Sequence, residues 1–540
     1  MALRRVSGSA TRASFFGSGI DRSQVKAMLI CAAGTAALFI FFNIPGLAIG
    51  AVVTMVVWVV TSRTANGSVA TRALDEQRWR ERLVTGAYRF VPFTPQGWEA
   101  AKELSRSKDA AVAERGRALM SALRSRPDGA DGMGWLISAR GVPGVAWHAP
   151  MGEDAYFSVV FSVGGMFSGA VGSRIQEAAQ TGFSKLLVSQ APVMVLCSGV
   201  QVITRVMPPD TVKAAAWVDA NIALDAHPEA TNSYAEVLAR TAAGAFIQEH
   251  MVVFRVPLTS RFRAEAARFG TGREGYRELM RRQTRVFEAS LKQAGFTKVS
   301  PMTARATASM IIHQQNPSHP SGAVRDVDPR EFGVASKDAW NAHVVTGKDS
   351  AGQPVQWFHR TCRITSEDLR QSARSPFWLL PLLRSGRSGP VTISVLHEVI
   401  PASDAMSLTN KDLVRTLADA GARQKKGQVG DLAQDERVKQ AKAQRNDLAP
   451  GEDHHGDNWL MYATLTSTSF AGLDDACEQF LSVGQNNAGI AKVTWMDTYQ
   501  SAASGCTWPI FRGLKPYKPS IGANAMNLLT GSANKNVTVK

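Results

Sequence analysis

The sequence lacks charge over part of its N-terminal region: no Asp, Glu, Lys or Arg occurs between Lys26 and Arg63, a run of 36 residues. One straight helix of that length would measure about 54 Å, whereas the hydrocarbon core of a bilayer is about 30 Å thick. A cleaved signal peptide is a poor alternative, because a second apolar stretch directly follows the first. We therefore expect the run to enter a membrane and to fold back on itself.

The Asn43-Ile44-Pro45-Gly46 segment predicts where the run reverses, because proline lacks a backbone donor and glycine permits a tight turn. We expect two short spans, near residues 27–43 and 47–62, which together form a transmembrane helical hairpin over residues 27–63. Positive charges flank it on both sides: Arg4, Arg5, Arg12, Arg22, Lys26, Arg63, Arg72, Arg78, Arg80 and Arg82. The positive-inside rule then predicts a multi-pass protein of the inner (plasma) membrane, with both termini and the bulk of the chain in the cytoplasm.

Cysteine is scarce and unpaired in the sequence. The five cysteines are far apart, at Cys31, Cys197, Cys362, Cys477 and Cys506. No C-x-x-C pair occurs, so the pattern indicates neither a zinc site nor a disulfide framework. This cysteine usage is typical of a reducing cytoplasm.

The sequence also lacks the phosphate-binding loop of a motor protein, which needs a glycine-rich turn ending in Gly-Lys-Ser/Thr after a strand. Its one Gly-Lys pair, in Gly347-Lys348-Asp349, has no earlier glycine at the required position. The segment Gly270–Gly275 does match G-x-G-x-x-G, but the charged residues Arg261–Arg268 precede it where a dinucleotide site has a strand. An interhelical loop is the favoured interpretation of this segment.

Other candidate sites are equally incomplete. His454-His455 is flanked by Glu452, Asp453 and Asp457, but no third histidine lies at ligand spacing, so a solvated turn is favoured over a metal site. His397 and Glu398 are neighbours on a predicted strand, so their side chains face opposite sides, which argues against a coupled acid–base pair. Ser168 lacks the spacing of a hydrolase elbow. We assign no catalytic, cofactor-binding or metal-binding residue, and we expect a protein that needs no cofactor and is not an enzyme.

Positive charge is abundant: 61 Lys and Arg oppose 45 Asp and Glu, a net charge of +16. Such an excess suits a protein beside an anionic leaflet and also one that meets nucleic acid. It is densest in one segment, at Arg261, Arg263, Arg268, Arg273, Arg277, Arg281, Arg282 and Arg285. Glutamates alternate with these arginines at helical spacing, which favours a solvated helix face over a membrane or protein contact, and both over DNA.

Two mixed regions follow the hairpin. In the first, strands are predicted at Tyr156–Val163, Val193–Val206 and Met251–Val256, and helices at Glu274–Ala294 and at a stripe that starts at Ile175. In the second, alternation predicts strands at Val391–Val395, Trp459–Leu465 and Val493–Trp495. A helix whose stripe includes Leu473, Ala476, Cys477, Phe480 and Leu481 lies between the last two. This alternation predicts an α+β fold with two ferredoxin-like units.

The expected organisation has seven parts. They are a basic cytoplasmic N-terminus (1–26), the hairpin (27–63), a juxtamembrane helical region (64–145), a first α+β domain (146–314), a linker or insertion (315–350), a second α+β domain (351–515) and a disordered tail (516–540).

The segment Asp447-Leu448-Ala449-Pro450-Gly451-Glu452, followed by Trp459–Leu465, is similar to the N-terminal domain of the large type IV secretion ATPases, where a Ser/Gly-Glu turn precedes a strand of YxTL type. Residues 1–63 resemble the small two-helix inner-membrane subunit of those systems. The chain as a whole resembles membrane-anchored components of actinobacterial conjugative elements. The resemblance implies a membrane subunit fused to the N-terminal domain of the ATPase, with the motor on another polypeptide and no catalytic residue to carry over.

These observations predict a non-enzymatic inner-membrane scaffold of a conjugative, type IV-like DNA-transfer machine. Its expected partners are the lipid bilayer, a separately encoded secretion ATPase and other channel subunits, within an oligomeric complex; direct contact with nucleic acid is not expected. A type VII secretion membrane component is one alternative. A membrane-bound transferase or hydrolase is an alternative of another class.

Overall fold

The computed structural model describes residues 4–5, 22–61, 63–64, 67–166, 171–192, 195–208, 221–223, 226–242, 246–319, 327–349, 352–370, 373–374, 378–385, 389–400 and 455–514, with scattered positions between 405 and 446. The chain divides into two compact units. Unit 1 comprises Met1–Ser7, Gly86–Leu408 and Asn446–Lys540, and unit 2 comprises Gly8–Thr85 and Thr409–Arg445.

The described helices are α1 (Arg22–Thr61), α2 (Val69–Thr85), α3 (Pro95–Ser105), α4 (Ala110–Ala122), α5 (Ser173–Ser189), α6 (Pro228–Ala242), α7 (Ser260–Ala266), α8 (Gly272–Gln293), α9 (Ala304–Gln315), α10 (Leu380–Leu383), α11 (Phe470–Asn486) and α12 (Gln500–Gly505). The described strands are β1 (Arg4–Arg5), β2 (Arg63–Thr64), β3 (Gly67–Ser68), β4 (Arg89–Pro92), β5 (Leu123–Arg124), β6 (Met133–Ile137), β7 (Val145–His148), β8 (Tyr156–Val163), β9 (Gly199–Met207), β10 (Ile247–Pro257), β11 (Ser300–Pro301), β12 (Ser336–Asp338), β13 (His343–Lys348), β14 (Pro354–Ile364), β15 (Ala373–Arg374), β16 (Val391–Ile400), β17 (Gly456–Ser467) and β18 (Thr494–Trp495).

Unit 2 contains one long apolar helix, α1, in place of the two separate helices that the sequence predicted. Within the described residues it is the one helix long and apolar enough to cross a membrane. Two helical segments meet in it at Asn43, whose backbone angles, φ 53° and ψ −134°, are not helical. Pro45 does not end the helix, because in the first turn after the kink its missing N–H has no helical partner to lose.

Unit 1 is built on a mixed sheet of 14 strands. Twelve of them follow the order β5-β4-β12-β13-β14-β17-β16-β9-β10-β8-β7-β6, while β11 also pairs with β8 and β18 with β14. Neighbours are antiparallel except β4 and β5, which are parallel. The regions predicted as separate domains, 146–314 and 351–515, thus contribute to one sheet, through the antiparallel pair of β9 and β16.

The two halves of this sheet have the same internal order. In the first half, β8, α5, β9, β10, α8 and β11 occur in this order along the chain, with α6 and α7 flanking β10, and the strands lie in the order β11-β8-β10-β9. In the second half, β14, α10, β16, β17, α11 and β18 occur in the corresponding order, with β15 between β14 and α10, and the strand order is β18-β14-β17-β16. In each half, a helix connects the first and second strands, and the third strand lies between these two in the sheet.

Most core elements match the sequence pattern. The strands predicted around Val160, Val202, Phe254, Ile393 and Ala463 are β8, β9, β10, β16 and β17, and all five of these residues pack in the sheet. Helix α8 buries one stripe, at Leu279, Met280, Thr284, Phe287 and Leu291, and ends before Gly295, whose φ of 93° suits glycine.

Two regions differ from the sequence prediction. The expected linker, 315–350, contains β12 and β13, which are sheet strands between β4 and β14. Such short strands depend on partners that are distant in sequence, so local composition did not reveal them. The expected helical region, 64–145, contains α2, α3 and α4 but also the strands β4, β5 and β6. The tail, 516–540, lies outside the described residues.

Candidate functional site

The apolar stretch of α1, Met28–Trp58, is the clearest candidate for a functional surface. It spans 31 residues at a mean hydropathy of 2.2, and only 11% of its most apolar window is buried. Large side chains such as Ile40, Phe41 and Ile44 are between 75% and 79% exposed. An apolar surface of this extent is unfavourable in water, and length and composition suit a lipid environment.

The two segments of α1 contact each other beyond the kink. Thr35 Oγ1 lies 3.4 Å from Thr54 Oγ1, although 19 residues of straight helix would separate them by about 28 Å. Each hydroxyl also donates to a backbone carbonyl one turn earlier, that of Cys31 or Gly50. Gly50 is needed for this approach, because a Cβ there would lie 2.4 Å from Thr35 Cγ2.

In unit 1, arginine side chains cap the outer strand β6 of the sheet. Arg277 Nε donates to the carbonyl of Leu136 at 3.1 Å, and Arg126 Nε donates to that of Met133 at 2.9 Å. Trp135 Nε1 donates to the carbonyl of Pro329. The two arginine contacts occupy backbone acceptors of β6 that another strand would use, so this edge is blocked for strand addition.

A buried Ser–His pair lies inside unit 1, and the sequence analysis did not identify it. His148 Nε2 is 2.8 Å from Ser158 Oγ, and neither residue is more than 1% exposed. Burial lowers the pKa of His148 well below its usual value, and the charges of Arg512 and Arg255 lower it further. The imidazole also stacks on Tyr156, with ring centroids 4.4 Å apart. The pair is closed to substrate, so its role is packing.

A second buried polar chain joins the sheet to α12. Ser501 Oγ lies 2.8 Å from Asp128 Oδ2 and 2.7 Å from Asp338 Oδ2, and His343 Nδ1 lies 3.3 Å from Asp338 Oδ1. Arg124 pairs with Asp128. The histidine contacts the carboxylate and not the serine, so the order of groups differs from a nucleophile–base–acid triad. These contacts tie β12, β13 and α12 together.

Of the histidines considered from sequence, His397 has a defined structural partner. His397 Nδ1 lies 2.8 Å from Asp457 Oδ2, whereas Glu398 accepts from Asn458 Nδ2 at 2.9 Å, so the two neighbours make separate contacts as the strand geometry predicted. His454 lies outside the described residues, as does Ser168. Among the residues that the structure describes, no group of three or more His, Cys, Asp or Glu could hold a metal ion.

The two glycine motifs also occupy structural positions. Gly270 lies in the turn between α7 and α8, and Gly272–Gly275 form the first turn of α8, with φ of 147° at Gly270 and 55° at Gly272; the motif thus joins two helices, as the interhelical interpretation predicted. Gly347 and Lys348 lie on β13, paired with β14, so they form no phosphate loop.

A cavity of about 1080 Å³ opens where β8 ends. Its wall is rich in methionine, at Met166, Met251, Met302 and Met310. His250 is the main titratable group with a defined contact: its Nδ1 lies 3.1 Å from Thr204 Oγ1, and burial lowers its pKa. A flexible, mostly apolar wall of this kind suits binding better than acid–base chemistry.

No protein-family model matches the chain, and no curated protein matches it significantly.

Proposed function

We propose that the protein is a non-enzymatic membrane-anchored scaffold of a conjugative, type IV-like DNA-transfer machine, and that unit 1 docks a separately encoded motor ATPase. The observation that carries the proposal is the union of an exposed, 31-residue apolar helix with a large sheet unit. The buried polar pairs of that unit connect its own strands and helices, as the Ser158–His148 contact does. A rigid body on an anchor is suited to positioning partners.

We further infer that α1 inserts as a two-span hairpin with both ends in the cytoplasm. The contact between Thr35 and Thr54 and the non-helical backbone of Asn43 support this topology. The test is a cross-link: in a Cys31→Ser background, Thr35→Cys with Thr54→Cys should form an intramolecular disulfide in native membranes. In the control pair, Gly34→Cys with Thr54→Cys, residue 34 faces a different side of the first helical segment from residue 35. This pair should therefore cross-link less. A single straight span would give no intramolecular product from either pair.

Accessibility labelling provides a second topology test. Cysteines introduced at residues 10 and 100 should both react from the cytoplasmic side of sealed vesicles, because an even number of spans returns the chain to its starting side. Reaction of either position from the opposite side would overturn the hairpin and remove unit 1 from the compartment of an ATPase.

The strand order of unit 1 supports the proposal of two ferredoxin-like units. We infer that the two halves of the sheet are ferredoxin-like units, because each has the βαββαβ order with its fourth strand beside its first. The segment Trp459–Leu465, which resembles the ATPase N-terminal domain, lies on β17, between β14 and β16. The preceding segment, Asp447–Glu452, lies outside the described residues.

The docking proposal is tested with the full-length protein in detergent. It should co-purify with a separately encoded motor ATPase, and it should neither bind ATP at micromolar concentration nor hydrolyse it. ATP turnover that follows this protein through purification would overturn the scaffold proposal and favour the enzymatic alternative. Association with small secreted helical proteins, and not with a conjugative ATPase, would favour the type VII alternative.

A further inference from the structure

The outer surface of α7 and α8 carries a concentration of arginine that the fold only partly uses. The opposite side of these helices packs on the sheet through apolar residues such as Phe262, Met280 and Phe287. Because α8 is amphipathic over 22 residues, its arginines are directed away from that core.

Some of these arginines have clear partners within unit 1. Arg277 caps the Leu136 carbonyl, Arg273 lies over the ring of Trp147 at 5.4 Å, and Arg261 pairs with Glu265. These three are therefore structural, and a bound partner would have to break their contacts.

Four other arginines form one basic face, which we define as Arg268, Arg281, Arg282 and Arg285. The guanidinium of Arg282 lies 4.1 Å from the ring centroid of Phe269, which follows Arg268 in the turn between α7 and α8. Arg281 and Arg285 are one helical turn apart.

The charge of the basic face is poorly compensated. Arg281 and Arg282 share one carboxylate, that of Glu278, and their side chains remain 59% and 52% exposed. The side chains of Arg268 and Arg285 are exposed and have no hydrogen-bond or ion-pair partner among the described residues. The face therefore presents several hydrogen-bond donors with fixed positive charge to solvent.

Guanidinium groups bind phosphate with paired hydrogen bonds, so the face fits a phosphate-bearing partner. Single-stranded nucleic acid also requires aromatic platforms for its bases, and the ring of Phe269 beside this face is already covered by Arg282. The phosphates of a membrane surface require no such platform. We propose that the basic face binds the headgroups of anionic phospholipids. This inference rests on the membrane location proposed for α1, but not on the docking of an ATPase.

The test measures phospholipid binding by the full-length protein in neutral detergent. Dioleoyl phosphatidylglycerol is titrated against dioleoyl phosphatidylcholine, and bound lipid is counted by native mass spectrometry. The test variant is R268Q/R281Q/R285Q. The matched control, R115Q/R117Q/R140Q, removes three exposed arginines elsewhere in unit 1. Each basic residue near an anionic surface contributes about a fivefold gain, so the test variant should bind phosphatidylglycerol about 100-fold more weakly at low salt, and the control should match the wild type.

Three results would overturn the inference. Equal losses in both triple variants would show that net charge, not this face, attracts the lipid. Equal affinity for the two lipids would show that headgroup charge is not recognised. Binding of a 20-nucleotide DNA that is lost in the test variant, without loss of phosphatidylglycerol binding, would assign the face to nucleic acid. If alkaline carbonate extracts the wild-type protein from membranes, the membrane insertion proposed for α1 is wrong. That result is distinct from a failure of phosphatidylglycerol binding, which the lipid titration measures.

Discussion

The two halves of the sheet place different side chains at equivalent positions. Across the first half, one row of paired residues runs Val202, Val252, Phe161 and Pro301; across the second, the matching row runs Ile393, Ala463, Cys362 and Trp495. The large aromatic residue is on the first strand in one half and on the fourth strand in the other. The same strand order thus forms around two differently distributed cores.

The helical layers differ as well. The first half covers its sheet with α5, which has 17 residues, and with α8, whose Phe287 stacks on Phe254 at 4.3 Å. At the place of α5, the second half has the four-residue α10, and its core contains small residues such as Ala476 and Cys477. Strand register, rather than residue identity, is what the two halves share.

The strongest test of this comparison introduces a charge into the core of the second half. Leu465 lies on β17 and is fully buried, in a cluster with Leu473 and Phe480. Leu465→Asp places an unpaired carboxylate there, at a cost of several kcal/mol, so unit 1 should unfold or aggregate. The exposed Gln356→Asp on neighbouring β14 is the control. A folded Leu465→Asp protein, with an unchanged melting transition, would mean that the face assigned to β17 is wrong.

The next prediction compares one equivalent pair of positions. Phe161→Ala should lower the free energy of unfolding by about 3–5 kcal/mol, because it leaves a large cavity against Phe254, whose ring lies 5.8 Å away. Cys362→Ala removes one atom and should cost about 1 kcal/mol. Chemical denaturation monitored by circular dichroism measures both values. Equal losses of unfolding free energy would show that Phe161 and Cys362 do not fill different volumes in the two cores, contrary to what the register indicates.

Burial of His359 should make the stability of the second half depend on pH, as burial of His148 should for the first half. Burial lowers the pKa of His359 to about 3, helped by the nearby charges of His343 and Arg205, while its ring contacts Thr466 and the Gln315 carbonyl. The unfolded chain binds a proton below about pH 6.5 and the folded chain does not, so this residue removes stability as the pH falls from 6.5 towards 3.

At pH 5 the loss amounts to about 2 kcal/mol for this histidine. His359→Gln should therefore reduce the pH dependence of unfolding by one proton. Melting temperatures between pH 4.5 and 7.5 measure the slope. A slope that is the same in His359→Gln and the wild type would mean that His359 is protonated in the folded protein.

The smallest effect concerns the outer edge of the first half. Arg277→Gln removes the hydrogen bond to the Leu136 carbonyl and should cost about 1 kcal/mol. Arg285→Gln, two turns along the same helix, should change stability by less than about 0.5 kcal/mol, because its side chain is exposed. If the two substitutions cost the same, the edge of β6 does not depend on its arginine cap.

The core elements could be predicted from sequence because their signals are local. Strict alternation around Ile393 and Ala463 predicted β16 and β17, and the apolar stripe through Leu279 and Phe287 predicted α8. The strands β12 and β13 were missed, since three- and six-residue strands gain their stability from neighbours that the local pattern does not show. The His148–Ser158 pair was missed for the same reason, because its two residues meet across adjacent strands.

The sequence by itself determined the apolar helix, the α+β character and the periodicity of the main strands. An apolar helix stripe or strand face consists of residues that are close along the chain, so the local pattern reveals it. The tertiary structure decided that both mixed regions share one sheet, since the pairing of β9 with β16 joins residues about 190 positions apart. It also decided that α1 continues beyond the kink at Asn43, and that the basic face is exposed. Those features depend on which backbone and side-chain groups meet in space.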